Sequence, residues 1–342
     1  MLKDRLRYYA ARMVMRLPDG VKIRMSGEPP IVIDGQQLDP QVQLLRSVRR
    51  KLGSEGLVEP TVEAGRARYR RDIANFRGPV TKVASVRDFS IGALRVRHYV
   101  PFEANAPLTV YLHGGGFVLG DLDTHDEPCR ILCREGGTHV LAVDYRLAPE
   151  HPFPAALDDT QQVLLWAQAN AASLGADVKR VAIGGDSAGA NLSTVASRLA
   201  AREGHAPFAQ LLIYPPTDGI TSRRSHDLFG KNFFLSNRDR DAFELHYIGE
   251  TEHEPHPLVS PLYAKDLHEL PPALIVLAGF DILRDEGLAY AEALQNAGTP
   301  VRLQSYPSLG HGFIHMTGVA PAARRAMVAV AREWREISRN RQ

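Results

Sequence analysis

The chain has 342 residues and nearly balanced charge, 41 basic against 39 acidic side chains for a formal net charge of +2. That balance gives no support to a nucleic-acid binder or a polybasic membrane protein, and the length suits one large α/β domain with an insertion. The only two cysteines, Cys129 and Cys133, lie four apart in CRILC. That spacing puts them on one helical face, so free buried thiols and a reducing, cytoplasmic setting are expected rather than a metal or disulfide framework.

The N-terminal stretch MLKDRLRYYAARMVMRLP places Leu2, Leu6, Tyr9, Ala10, Met13 and Leu17 on one helical stripe, with most of its basic residues elsewhere. Charges interrupt every apolar run, so it is no secretory signal, and packing on the protein's own body is favoured over lying on a membrane. No segment approaches the roughly 20 apolar residues of a membrane-spanning helix, so no stable membrane insertion is expected. Residues 1 to about 80 are polar and helix-rich, with QLDPQVQLLRSVRRKLG and TVEAGRARYRRDIANF as the clearest helices.

An antiparallel hairpin is predicted around SVRDFS and LRVRHYV. Beyond it, LTVYLH, THVLAVDY, RVAIGG, AQLLIYP, ALIVLAG and VRLQSYP read as strands, separated mostly by helical patterns such as EPCRILCREGG and DDTQQVLLWAQAN. This alternation predicts a mainly parallel sheet covered by helices on both faces. Residues 217 to 256 break the rhythm: LSNRDRDAFELHYIG reads as a helix with Ser236 as N-cap, Asp239 three residues on, and Gly249 as its stop. The nearby Phe229, Phe233, Phe234 and Phe243 suit either an accessory core or an apolar pocket wall.

The most specific chemical signal is GDSAG at 185–189, between a strand and a helix as a nucleophile elbow requires. A serine on so tight a turn is strained, and the residues two before and two after it crowd together, hence glycine at both. A serine hydroxyl needs a base and a carboxylate to orient that base. In the order serine, acid, histidine, Asp281 stands just beyond a strand and His311 in a Gly-flanked loop after the last one. Asp285 and Glu286 are rival acids, better suited to a helix N-terminus or solvent; His315 suits a structural role, and His113 an ordering role in its own loop.

The run HGGGF after a strand calls for an anion partner, either a phosphate or a transient oxyanion. It carries neither GK[ST] nor the GxGxxG spacing, and the phosphate reading loses its motif support. The N–H groups of Gly115, Gly116 and Ala188 are instead expected to surround a tetrahedral oxyanion.

These motifs resemble the hormone-sensitive-lipase-like branch of the α/β hydrolases, the bacterial family IV esterases. The likeness runs through HGGGF, GDLDTHD, DYRLAPEHPFPAALDD, GDSAGAN, SPL at 260–262, DILRDEG and HGF, over roughly residues 80 to 318. It implies an α/β hydrolase fold at 81–342, a cap formed by residues 1–80 with a further segment at about 217–256, and hydrolysis of short- to medium-chain carboxylic esters. It also implies Ser187 as nucleophile, His311 as base, Asp281 as its orienter, and Gly115, Gly116 and Ala188 as oxyanion donors, with no cofactor or metal. Ile282 stands where many relatives have proline, and Leu309-Gly310 precede His311 where a methionine is frequent. A small-molecule ester is the expected partner, with a homodimer left open. Other readings on the same residues are an amidase, a long-chain lipase and a non-catalytic receptor.

Overall fold

The computed structural model describes residues 13–53, 56–249 and 256–340. Eight strands form one sheet: β1 (Ser85–Ile91), β2 (Leu94–Val100), β3 (Leu108–Leu112), β4 (His139–Asp144), β5 (Val181–Asp186), β6 (Gln210–Ile213), β7 (Ala273–Phe280) and β8 (Val301–Gly310). Their order across the sheet is β8-β7-β6-β5-β3-β4-β2-β1. The expected β1–β2 hairpin is antiparallel, β2 pairs antiparallel with β4, and every remaining pairing is parallel.

Burial explains the composition of these strands. All eight residues of β7, ALIVLAGF, are buried, as an aliphatic run must be when helices cover both faces of a parallel strand. By contrast the edge strand β8 exposes much of VRLQSYPSLG, and it tolerates polar residues accordingly.

Ten helices of the described residues are labelled in chain order: α1 (Asp19–Ser26), α2 (Pro40–Lys51), α3 (Val62–Phe76), α4 (Asp126–Gly136), α5 (Ala155–Asn170), α6 (Ala188–Arg202), α7 (Arg224–Phe229), α8 (Asn237–Ile248), α9 (Arg284–Asn296) and α10 (Pro321–Arg339). Their starts follow local chemistry. Asp39 caps α2 by accepting the Gln41 and Val42 N–H groups, Pro40 sits at its first position, and Thr61 caps α3 through the Ala64 N–H. The Ser236 hydroxyl and the Asp239 carboxylate form the reciprocal box at the start of α8, which ends at Gly249 with φ 78°.

The connection from β3 to β4 through α4 runs one way along the sheet, whereas β4 to β5 through α5 and β5 to β6 through α6 run the other. Right-handed crossovers therefore put α4 on one face and α5 and α6 on the opposite one, and α4 indeed packs with α10 while α5 packs with α6. The direction reverses between β3 and β5, which opens a crevice beyond their carboxyl ends. Both HGGGF and GDSAG lie there.

Residues 1–12, which carry most of the N-terminal apolar stripe, lie outside the described residues. Of the rest, Met13 is 71% exposed while Met15 joins the core. Cys129 and Cys133 are unpaired and buried on α4. Among the described residues no helix is long and apolar enough to cross a membrane.

Candidate active site

Ser187 joins β5 to α6 with φ 51° and ψ −122°, a conformation that L residues rarely adopt. The two flanking glycines make the turn possible. A Cβ on Gly185 would come within 2.2 Å of the Leu112 carbonyl oxygen and 2.6 Å of the Gly189 backbone, and one on Gly189 within 1.9 Å of that same oxygen. The turn is pinned by the Ser187 N–H, which donates to Ile213 O across β6 at 2.9 Å.

Asp281 follows β7 and His311 follows β8, so two neighbouring parallel strands deliver them to the same rim. His311 Nδ1 lies 2.8 Å from Asp281 Oδ2, and its Nε2 lies 3.1 Å from Ser187 Oγ. Asp281 is buried, and its other oxygen accepts the Leu283 N–H at 3.0 Å, which holds the carboxylate in place. The Tyr214 ring covers His311 at a centroid distance of 4.4 Å. Ile282, in place of proline, is buried, and its carbonyl accepts the Ser225 hydroxyl at 2.6 Å.

Gly115 and Gly116 adopt φ 125° and 62°, which turns the loop sharply after β3. Among the described residues, the N–H groups of Gly115, Gly116 and Ala188 have no backbone acceptor. With Ser187 and His311 they line a cavity of about 160 Å³ whose walls are mainly apolar: Leu57 from the α2–α3 connection, Ile73 and Phe76 from α3, Phe234 and Phe243 from the segment before β7. The four phenylalanines of that segment thus divide. Phe229 and Phe233 pack on Phe280 in the core, and Phe234 and Phe243 face the cavity.

The rival groups have other work. His113 Nδ1 bonds the Gly114 carbonyl at 2.9 Å while its ring stacks on Tyr145 at 4.3 Å, so it does order its own loop. His315 is buried with Nε2 3.3 Å from the Tyr69 hydroxyl. Asp285 accepts the Ser225 N–H at 2.8 Å. Glu286 sits in the first turn of α9, as a dipole partner would, but it does not face solvent. It is buried against the cavity, accepts the Thr217 N–H at 2.7 Å, and has its carboxyl pKa raised by that burial.

Asp186, the residue between Gly185 and Ser187 in GDSAG, is given no role by the sequence reading. It is buried and accepts the Tyr111 hydroxyl at 2.9 Å and the Gly114 N–H at 3.0 Å, with His125 Nε2 3.3 Å away. Burial, the largest single cause, would raise its pKa; His125, His315 and the Tyr111 hydroxyl together outweigh it and hold the carboxyl well below the usual carboxylate range. His125, Asp186 and His315 present ligand atoms within 4.8 Å of one another, a spacing that could hold a cation. Asp186, both nitrogens of His125 and the Nε2 of His315 are engaged with Tyr111, Gly114, Thr124 and Tyr69, whereas the buried Nδ1 of His315 has no hydrogen-bond partner among the described residues.

Fold and rim together define an α/β hydrolase, and comparison with known proteins agrees. A family model described as alpha/beta hydrolase fold matches residues 109–315. The chain is 46% identical over 313 residues to the carboxylic ester hydrolase LipN of Mycobacterium tuberculosis, covering 88% of this chain and 83% of that one. It is 36% identical over 292 residues to an ethyl acetate hydrolase of Pseudomonas putida, covering 81% and 92%. The solved structure of a Pyrobaculum calidifontis esterase superposes with a TM-score of 0.77 at 33% identity, covering 86% of this chain and 97% of that one. This chain belongs to the hormone-sensitive-lipase-like family of α/β hydrolases, as its motifs lead one to expect.

Proposed function

We propose that the protein is a serine carboxylesterase acting on short- to medium-chain carboxylic esters. The observation that carries this reading is the hydrogen-bonded line from Asp281 through His311 to Ser187, which opens into a small apolar cavity beside free backbone N–H groups. Ser187 Oγ attacks the ester carbonyl as His311 Nε2 takes its proton, and Asp281 steadies the imidazolium through Nδ1. The N–H groups of Gly115, Gly116 and Ala188 receive the oxyanion, each worth about 3 to 4 kcal/mol in the transition state. His311 then protonates the departing alcohol, and a water activated by the same imidazole releases the acid from Ser187.

In this reading residues 1–80 and about 217–256 form a cap. It is supported by the cavity walls they contribute and by Arg66 of α3, which donates to the Val118 carbonyl at 2.9 Å just past the glycine loop. The unpaired Cys129 and Cys133 suit a reducing cytosol as the compartment.

The test is hydrolysis of p-nitrophenyl esters of increasing acyl length by the parent and by Ser187→Ala, with fluorophosphonate labelling of the parent. The expected result is stoichiometric labelling at Ser187, loss of nearly all turnover in the variant, and a kcat/KM that peaks at short to medium acyl chains. Retention of most activity by Ser187→Ala would overturn the assignment. Matched ester and anilide substrates separate an esterase from an amidase, and a rate jump above the substrate's solubility limit would instead mark a lipase.

A further inference from the structure

We propose that the buried face of α8 positions the glycine loop, with Phe243 and Tyr247 bearing on Gly116 and Phe117 and Asp239 anchoring the helix from its far end. The inference rests on the reading of Gly115 and Gly116 as oxyanion donors and adds what holds them in place.

The buried residues of α8 are Asp239, Phe243 and Tyr247. Spaced by four, they form one stripe along the helix. The lower two press on the loop. The Phe243 ring fills the space beside Gly116 so closely that a Cβ there would lie 2.2 Å from it, and Gly116 is held at φ 62°. The Tyr247 ring stacks on Phe117 at 3.8 Å, within 3° of parallel. Phe117 is a bulky residue at φ 64°, a conformation that costs of order 1 to 3 kcal/mol and persists only where its surroundings impose it. The stack supplies that imposition. Tyr247 is itself fixed by its carbonyl, which accepts the Phe153 N–H at 2.8 Å.

At the other end of the stripe, Asp239 takes the N–H groups of Leu57 and Val58 at 2.7 and 3.0 Å while still capping its own helix through Ser236. It therefore ties α8 to the N-terminal region, and Leu57 lines the same cavity as Phe243. A substrate group that packs on Leu57 or Phe243 thus bears on the groups that fix the oxyanion donors. Binding energy gained there is realised where charge develops, and it raises kcat rather than lowering KM alone.

The experiment measures kcat and KM on p-nitrophenyl butyrate, and the affinity of a trifluoromethyl ketone that forms a tetrahedral adduct, for Phe243→Ala, Asp239→Ala and the double variant. Asp239 does not itself line the cavity; it meets the wall through the Leu57 N–H, so kcat and ketone affinity, rather than KM, separate an effect on the loop from one on the wall. The expected result is a fall in kcat of about 10- to 100-fold in each single variant with KM within about twofold, a matching loss of ketone affinity, and a double variant little worse than the worse single. Asp239→Asn, which keeps shape and one acceptor oxygen, serves if the alanine variant does not fold, and is expected to show a smaller fall of the same kind. A raised KM with kcat and ketone affinity unchanged makes α8 a pocket wall only and overturns the proposal. Failure of the esterase reading is distinct, because it would appear in the parent as turnover that survives Ser187→Ala.

Discussion

Asp186 accepts the Gly114 N–H at 3.0 Å, so the residue preceding the elbow serine also fixes the first glycine of the loop that faces it. The same carboxylate takes the Tyr111 hydroxyl, and all of these groups are buried. Asp186→Ala leaves the Tyr111 hydroxyl without its acceptor, leaves the Gly114 N–H only the 3.3 Å contact with His125 Nε2, and removes the carboxylate beside His125; each unsatisfied buried group costs about 1 to 3 kcal/mol. The expected loss is about 3 kcal/mol or more, read as a lower urea midpoint at unchanged slope. A loss below about 1 kcal/mol would show that these bonds do not hold the rim.

The line from Asp281 to Ser187 predicts how activity fails. His311→Ala should lower kcat on the order of 10⁵-fold, and combining it with Ser187→Ala should add little, because the groups act as a unit. Asp281→Asn should cost about 10⁴-fold with the fold intact, since the amide favours the wrong imidazole tautomer. Additive losses in the double variant would argue that the two residues work separately. Since the base must be neutral, log kcat/KM should fall on the acid side with unit slope; a flat profile there would count against His311.

Stability should also depend on pH through buried histidines to which the proposed reaction gives no role. Burial, in each case the largest cause, lowers His98 and His315 to about 3 and His113 and His139 to about 4. In the unfolded chain these imidazoles take up protons as pH falls through about 6.5, while in the folded chain they stay neutral until about 4 to 3. The unfolded state binds more protons within that window, so stability is complete above it and falls as pH drops through it, by at most about 1.4 kcal/mol per pH unit for each group. Urea unfolding at pH 7, 6 and 5 should show a declining midpoint, and a constant one would contradict these assignments.

Two glycines should respond oppositely to the same methyl group. Gly189→Ala would drive a Cβ to 1.9 Å from the Leu112 carbonyl oxygen, and soluble folded protein is not expected from it. Gly20, inside α1 at ordinary helical φ, has nothing within 4 Å of its would-be Cβ. Gly20→Ala should stabilise by up to about 1 kcal/mol through a reduced unfolded-state entropy. Thermal melts of both variants check this, and a well-folded Gly189→Ala protein would refute the packing account of the elbow.

Much of this site was legible in the linear chain because its constraints are local. A methyl at Gly185 or Gly189 is forbidden by atoms of the turn and the adjoining strand, so the requirement is written as GxSxG. Asp281 and His311 were found because strand order delivers residues after β7 and β8 to one rim. Asp186 escaped notice because its partners Tyr111 and His125 lie far back in the sequence, and nothing in GDSAG signals a carboxylate that faces inward. The burial of Glu286 is hidden for a related reason: its place in the first turn of α9 is legible, but its buried position on the stripe with Gly287, Tyr290, Ala291 and Leu294 and its bond to the distant Thr217 N–H are not. The stripe of α8 was visible as a helix with a capping box, but its contact with Gly116 joins positions more than a hundred residues apart.

The cavity draws its hydrogen-bonded serine and histidine and its apolar walls from different parts of the chain. Ser187, His311 and the loop glycines belong to the sheet's rim, whereas Leu57, Ile73 and Phe76 come from the N-terminal region. Substrate choice can therefore drift under selection at the latter three positions while the chemistry stays put. Phe243 has no such freedom, since a change that enlarges the pocket there also loosens the loop beneath it. A mutational library built to retarget this protein is best spent on the N-terminal wall, and its failures should concentrate on α8.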